Sequence, residues 1–223
     1  MPKKIIVAVD EIDLSSLRNI IDCLDPNKCM IKIGSVSFNS IGKKAVEYAS
    51  KKGFEIFLDL KLHDIPNTVN KSIEGLKNMP IKMLTVHTSG GAAMMKSAMH
   101  AVKGTDIQIF GVTALTSLSD NDTNDIYNRD TTDQVDKMLD LAELAGIDGV
   151  VCSPHEIELI LRRHSLLSIT PGIRLNDMND DQNRVMTPTE AIKLGADFLV
   201  IGRPITSSKD IKKSLDEIFK SIQ

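Results

Sequence analysis

The chain has 223 residues, 42% of them hydrophobic and 26% charged, which is ordinary globular usage and argues against a disordered chain. Lys and Arg number 27 against 30 Asp and Glu, for a net charge of -3, so the basic excess of a nucleic-acid binder is missing and no nucleic-acid partner is expected. A chain this long buries a full core without disulfide staples, and the balance of charge still permits a locally basic pocket for a small anion.

The first apolar run, IIVAV at 5–9, reads as a strand. It stops at Asp10, too short for a signal-peptide core, and no later run approaches the ~18 apolar residues of a membrane span; the expectation is a cytoplasmic protein with no membrane partner. Leu14, Leu17, Ile21 and Leu24 then recur at helical spacing, and MIKI (30–33) gives a second strand. Ala45, Val46 and Ala49 mark another helix, FEIFLDL (54–60) a strand, and Val69, Ile73 and Leu76 a helix that opens at Pro66. MLTVH (83–87) and IQIFGV (107–112) are the next strands. The clearest amphipathic stripe is Val135, Met138, Leu139, Ala142 and Ala145. DGVVC (148–152), LLSIT (166–170) and FLVIG (198–202) complete the strands, and Ile211, Leu215, Ile218 and Phe219 form the last helix. Pro154 and Pro188, like Pro66, stand where first-turn prolines belong.

Eight runs, mostly apolar on both faces, alternate with about eight helical stretches. That is the arithmetic of an α/β protein, a (β/α)8 TIM barrel forming a single domain over residues 1–223. An open doubly wound sheet often has a glycine-rich phosphate turn after its first strand; this turn reads AVDEID. Residues 117–133, SLSDNDTNDIYNRDTTD, break the rhythm and read as a solvated loop. They lack the glycine and the closing glutamate of a calcium loop. Cys23, Cys29 and Cys152 form no CxxC pair or zinc spacing and read as small packed hydrophobes in a reducing compartment.

Barrel active sites lie at the C-terminal ends of the strands. The residues expected there are Asp10, Lys32, Asp59, Lys61, His87, Thr113 to Thr116, Gly172, Arg174, Gly202 and Arg203. Buried charges are costly unless paired or used. Asp59 and Lys61, two apart on a strand, leave the same face; Lys32 ends the neighbouring strand and Asp64 follows in the loop. An ion-pair network closing the barrel end would explain Lys61 alone, but four alternating charges point to chemistry. TPGIR (170–174) and IGRPIT (201–206) end the seventh and eighth strands, where barrels often bind phosphate through small-residue amides and arginine forks. His87 reads as a barrel-layer histidine ahead of a base, and His63 as loop structure. His100, His155 and His164 read as surface residues in helical stretches. Met79, Met83, Met94, Met95 and Met99 read as packing.

Together these residues resemble the orotidine 5'-phosphate decarboxylase family. DLKLHDIPNTV (59–69) carries the DxKxxD element of that family and its relatives, and AVD (8–10), IKIG (31–34), TVHTSGG (85–91), GVTALTS (111–117), DGVVCSP (148–154), TPGIR, DDQNRVMTP (180–188) and DFLVIGRPIT (197–206) follow in the same order. SVSF (35–38), His155 and the Asp/Asn-rich loop depart from the pattern. The resemblance implies a cofactor-free decarboxylase, with no metal, that converts orotidine 5'-phosphate to UMP. In it Lys61 would protonate C6 within an array of Lys32, Asp59, Lys61 and Asp64. The resemblance further implies a homodimer in which Asp64 and Thr68 cross the interface. Asp10 and Lys32 would meet the ribose, Thr116 the base, and Arg174, Gln182, Gly202 and Arg203 the phosphate. Related magnesium-dependent sugar-phosphate decarboxylases carry an acidic residue where Lys32 stands, and a non-catalytic barrel binding a nucleoside monophosphate is a further alternative.

Overall fold

Strand and helix periods divide the work in this chain. Runs rich in Ile, Val and Phe pleat into strands, and the amphipathic stretches between them cover the sheet. In the computed structural model, which describes residues 3–174 and 186–223, the order is β1 (Ile5–Val9), α1 (Leu14–Ile21), β2 (Cys29–Gly34), α2 (Ser35–Ile41), α3 (Lys43–Lys51), β3 (Ile56–Leu62), α4 (Pro66–Glu74), β4 (Met83–His87), α5 (Gly91–Ala101) and β5 (Gln108–Val112). It continues with α6 (Asp120–Tyr127), α7 (Thr131–Ala145), β6 (Gly149–Val151), α8 (Ile157–Leu161), β7 (Leu167–Thr170), α9 (Pro188–Lys193), β8 (Phe198–Ile201), α10 (Arg203–Thr206) and α11 (Ile211–Ser221). The eight strands close in sequence order, all parallel, with β1 pairing both β2 and β8. This is the (β/α)8 barrel the strand count predicts.

Two cores follow from the two-residue period of a strand. Ile6, Ala8, Met30, Phe57, Met83, Phe110, Ile169 and Val200 fill the barrel interior, and Phe110 meets Phe57 and Phe198 edge-on with ring centroids 6.5 and 6.4 Å away. The alternate residues, such as Ile5, Val7, Ile31, Ile33, Ile56 and Leu58, pack outward against the helices. The inward phase then runs on toward the C-terminal mouth: Ala8 leads to Asp10, Met30 to Lys32, Phe57 to Asp59 and Met83 to Thr85. An apolar plug thus lies directly beneath a layer of polar and charged side chains.

Four local expectations are corrected. The 117–133 segment is not a plain loop but contains α6. Ser119 and Asp122 form a reciprocal capping box at its start, and Asn128, in the left-handed region, ends it. The stretch after β2 holds two helices, broken at Gly42. His164 lies in a turn after α8, and Cys23 is exposed while Cys29 and Cys152 are buried. Burial pushes the Cys29 thiol up to about 12, so it is an inert packed group. Met83, Met94 and Met95 are buried, and Met79 and Met99 pack against the core, as expected. No helix among the described residues is long and apolar enough to cross a membrane.

Candidate active site

A cavity of about 630 Å³ opens at the C-terminal ends of the strands. Its floor is the charged layer. Asp59 is 6% exposed and each of its carboxylate oxygens is engaged. Oδ2 accepts from Lys61 Nζ at 2.6 Å and lies 3.7 Å from Lys32 Nζ, while Oδ1 accepts from the Thr85 hydroxyl at 3.0 Å. Lys32 Nζ also donates to Asp10 Oδ1 at 3.1 Å. Burial by itself raises the Asp59 carboxyl, but the Lys32 and Lys61 ammoniums and the hydrogen bonds from Lys61 and Thr85 outweigh it and hold the group below the usual carboxylate range. The result is a chain of alternating charge, Asp10, Lys32, Asp59, Lys61, with the Asp10 carboxylate at one end and the Lys61 ammonium at the other.

Backbone details hold these groups. Gly34 leaves room for the pair beside it: a Cβ there would stand 2.8 Å from Lys32 Nζ and 3.0 Å from Asp10 Oδ1. Ser37, fully buried in the first turn of α2, accepts from the Glu11 amide at 2.8 Å, and its hydroxyl reaches the carbonyls of Val9 and Glu11 at 2.9 and 2.8 Å. It clasps the chain on both sides of Asp10. Lys61 has φ 50, in the left-handed region, a conformation that costs a side-chain-bearing residue about 1–3 kcal/mol and lasts only where surroundings enforce it. The strand pairing shifts there, between Leu58 and Leu62 on β3.

The opposite wall belongs to the last strands. Gly172, Arg174, Gly202, Arg203 and Thr206 line it, and Thr116 lines the cavity from the loop after β5. Gly172 has φ 82, open to glycine without strain, and this lets the chain turn after β7. Arg174 is 7% exposed, and its segment is tied down by the Arg174 amide donating to the Met186 carbonyl at 3.0 Å. Asp64 and Thr68 are exposed and stand outside the cavity, and Asp64 Oδ1 accepts from the Ile65 amide at 2.6 Å. Gln182 lies outside the described residues. His87 is half-buried, with the His63 ring centroid 5.3 Å from its own. Sequence reasoning missed Thr85 and Ser37, because a hydroxyl inside an apolar run or a helix start carries no motif. The inward phase that places Asp59 could have flagged Thr85.

A closed parallel barrel with an ammonium–carboxylate array at one side of its mouth and arginines at the other is a (β/α)8-barrel enzyme for a small anionic substrate. A family model described as orotidine 5'-phosphate decarboxylase / HUMPS family matches residues 3–218, and the chain belongs to that family. It is 42% identical to the orotidine 5'-phosphate decarboxylase of Saccharophagus degradans over 221 residues, covering 96% of this chain and 93% of the relative. The same identity over 221 residues relates it to the enzyme of Ehrlichia canis, over 98% and 97% of the two chains. Among solved structures, orotidine 5'-phosphate decarboxylase from Lactobacillus acidophilus superposes with a TM-score of 0.88 at 34% identity, covering all of both chains.

Proposed function

We propose that this chain decarboxylates orotidine 5'-phosphate to uridine 5'-phosphate and carbon dioxide, the last step of UMP synthesis. The observation that carries the reading is the Lys61 ammonium, 2.6 Å from the buried Asp59 carboxylate and facing the cavity. Loss of CO2 from C6 leaves an electron pair in the plane of the pyrimidine ring, where the π system cannot spread it. The C6–carboxylate bond breaks, its electron pair stays on C6, and a proton from Lys61 Nζ forms the new C6–H bond. Water then restores the proton to the amine. An ammonium already fixed by Asp59 and facing the nascent charge stabilises the transition state with little reorganisation. No cofactor has a step in this scheme.

In this reading Lys32 holds Asp59 and, with Asp10, takes the ribose hydroxyls. Thr116 meets the base, and Arg174, Gly202, Arg203 and Gln182 take the phosphate. Binding energy from that remote phosphate holds the ring against the charged floor. Asp64 of the partner subunit completes the array and Thr68 of the partner subunit joins the ribose site. This makes the working unit a homodimer, active in the cytoplasm. The exposure of Asp64 and Thr68 outside the cavity of their own chain supports that assignment.

Lys32 also argues against the magnesium-dependent branch of this chemistry. An ammonium set between Asp10 and Asp59 occupies the position a cation would need, and it repels one. The deciding experiment is incubation of EDTA-treated protein with orotidine 5'-phosphate, following CO2 release and the loss of substrate absorbance. Turnover undiminished by EDTA is expected; turnover that needs added magnesium would overturn the reading. Binding of UMP with no turnover would favour the non-catalytic barrel.

A further inference from the structure

Thr85 is a residue of β4 to which none of these roles is assigned. It is fully buried, and its hydroxyl sits between the two groups on which the chemistry rests. Oγ1 accepts from the Lys61 backbone amide at 2.8 Å and donates to Asp59 Oδ1 at 3.0 Å. The reason lies in the strand pairing. Leu58 stands opposite Leu84 and Leu62 opposite Val86, so four positions along β3 are set against two along β4. Within that bulge the Lys61 amide donates to a side chain instead of a ladder carbonyl, and the Lys61 backbone takes φ 50. The other carboxylate oxygen of Asp59 already faces the two lysines. The Thr85 hydroxyl therefore fixes the rotation of the carboxylate as well as the strained turn of the chain.

We propose that Thr85 is a positioning residue for the reaction: its one hydroxyl holds the Lys61 backbone in the left-handed conformation and the Asp59 carboxylate square to the Lys61 ammonium, so that both groups meet the substrate already aligned. The proposal rests on the decarboxylase reading above. Valine has the same shape as threonine and can make neither bond, whereas serine can make both.

The test compares Thr85→Val and Thr85→Ser with the wild type in steady-state turnover of orotidine 5'-phosphate, with UMP affinity measured by calorimetry. Thr85→Val is expected to lower kcat about 10- to 100-fold, the scale set by a misplaced catalytic group, with KM and UMP affinity within about threefold of wild type. Thr85→Ser is expected to retain kcat within about threefold. Thermal melting checks folding, and if Thr85→Val does not fold, Thr85→Ala is read in its place. A hydroxyl-free variant with wild-type kcat would overturn the proposal. So would a Thr85→Ser variant as impaired as Thr85→Val, or a loss confined to KM. A wild type inert toward orotidine 5'-phosphate would overturn the decarboxylase reading along with the proposal; an active wild type with an unaffected Thr85→Val would overturn the proposal alone.

Discussion

Asp59 is the fixed point of the site. With two ammoniums and a hydroxyl around it, it stays ionised in spite of its burial, and it gives the Lys61 ammonium a single place to be. Removing the ammonium removes both the proton and the positive charge facing C6. Lys61→Ala should therefore cut kcat by at least about 10³-fold while leaving the far-ultraviolet circular dichroism spectrum unchanged; turnover near wild type would end the mechanism. The pairing of Asp59 and Lys61 was readable from their spacing in DLKLHD, because the period of a strand puts alternate residues on one face. The bulge was not. It depends on how β4 lies alongside, and nothing within β3 announces a shift that becomes visible only when Leu62 is found opposite Val86.

The strands were the most readable elements, because each is a short run dominated by β-branched and other apolar residues. The helices were readable where an apolar stripe repeats, as in α7. In α6 it does not: DNDTNDIY has no such stripe, and the helix is defined by its ends. Ser119 and Asp122 cap the first turn, acidic residues there suit the helix dipole, and the Thr123 hydroxyl lies 3.0 Å from that of Thr131. Polar residues that serve as caps look the same in a sequence as polar residues in a loop. The start of α2 teaches the same lesson for the site. Ser37 reads as an ordinary residue of SVSF, yet it clasps the backbone around Asp10. Ser37→Ala should loosen that turn and raise KM for orotidine 5'-phosphate roughly 5- to 10-fold through lost hydrogen bonds. The expected change in kcat is less than about threefold, and steady-state kinetics separates the two.

At the scale of the whole molecule, stability depends on pH through a histidine near the site. Burial, the neighbouring His63 ring and the Lys61 charge together hold the His87 imidazole below its ordinary pKa, against the pull of Asp59. As pH falls through the ordinary histidine value of about 6.5, the unfolded chain takes up a proton there before the folded chain does, so this contribution is present above that value and fades below it. Melting temperature should drop between pH 7.5 and 5.5, and the drop should be smaller in His87→Gln; an equal drop would rule His87 out as its source. Assembly gives a second expectation. If each cavity takes Lys61 from one subunit and Asp64 from the other, mixing inactive Lys61→Ala and Asp64→Ala proteins under exchange conditions should restore about a quarter of wild-type activity, since half the dimers are mixed and each then has one intact site. No recovery after confirmed exchange would place both residues in the same chain's site.

The left-handed backbone at Lys61 carries a consequence for evolution and engineering. Glycine would sit there without strain and lysine does not. Lys61→Gly should consequently melt at a higher temperature than Lys61→Ala, although both are inert. The backbone there is suited to glycine, while the chemistry proposed for the site requires the lysine side chain.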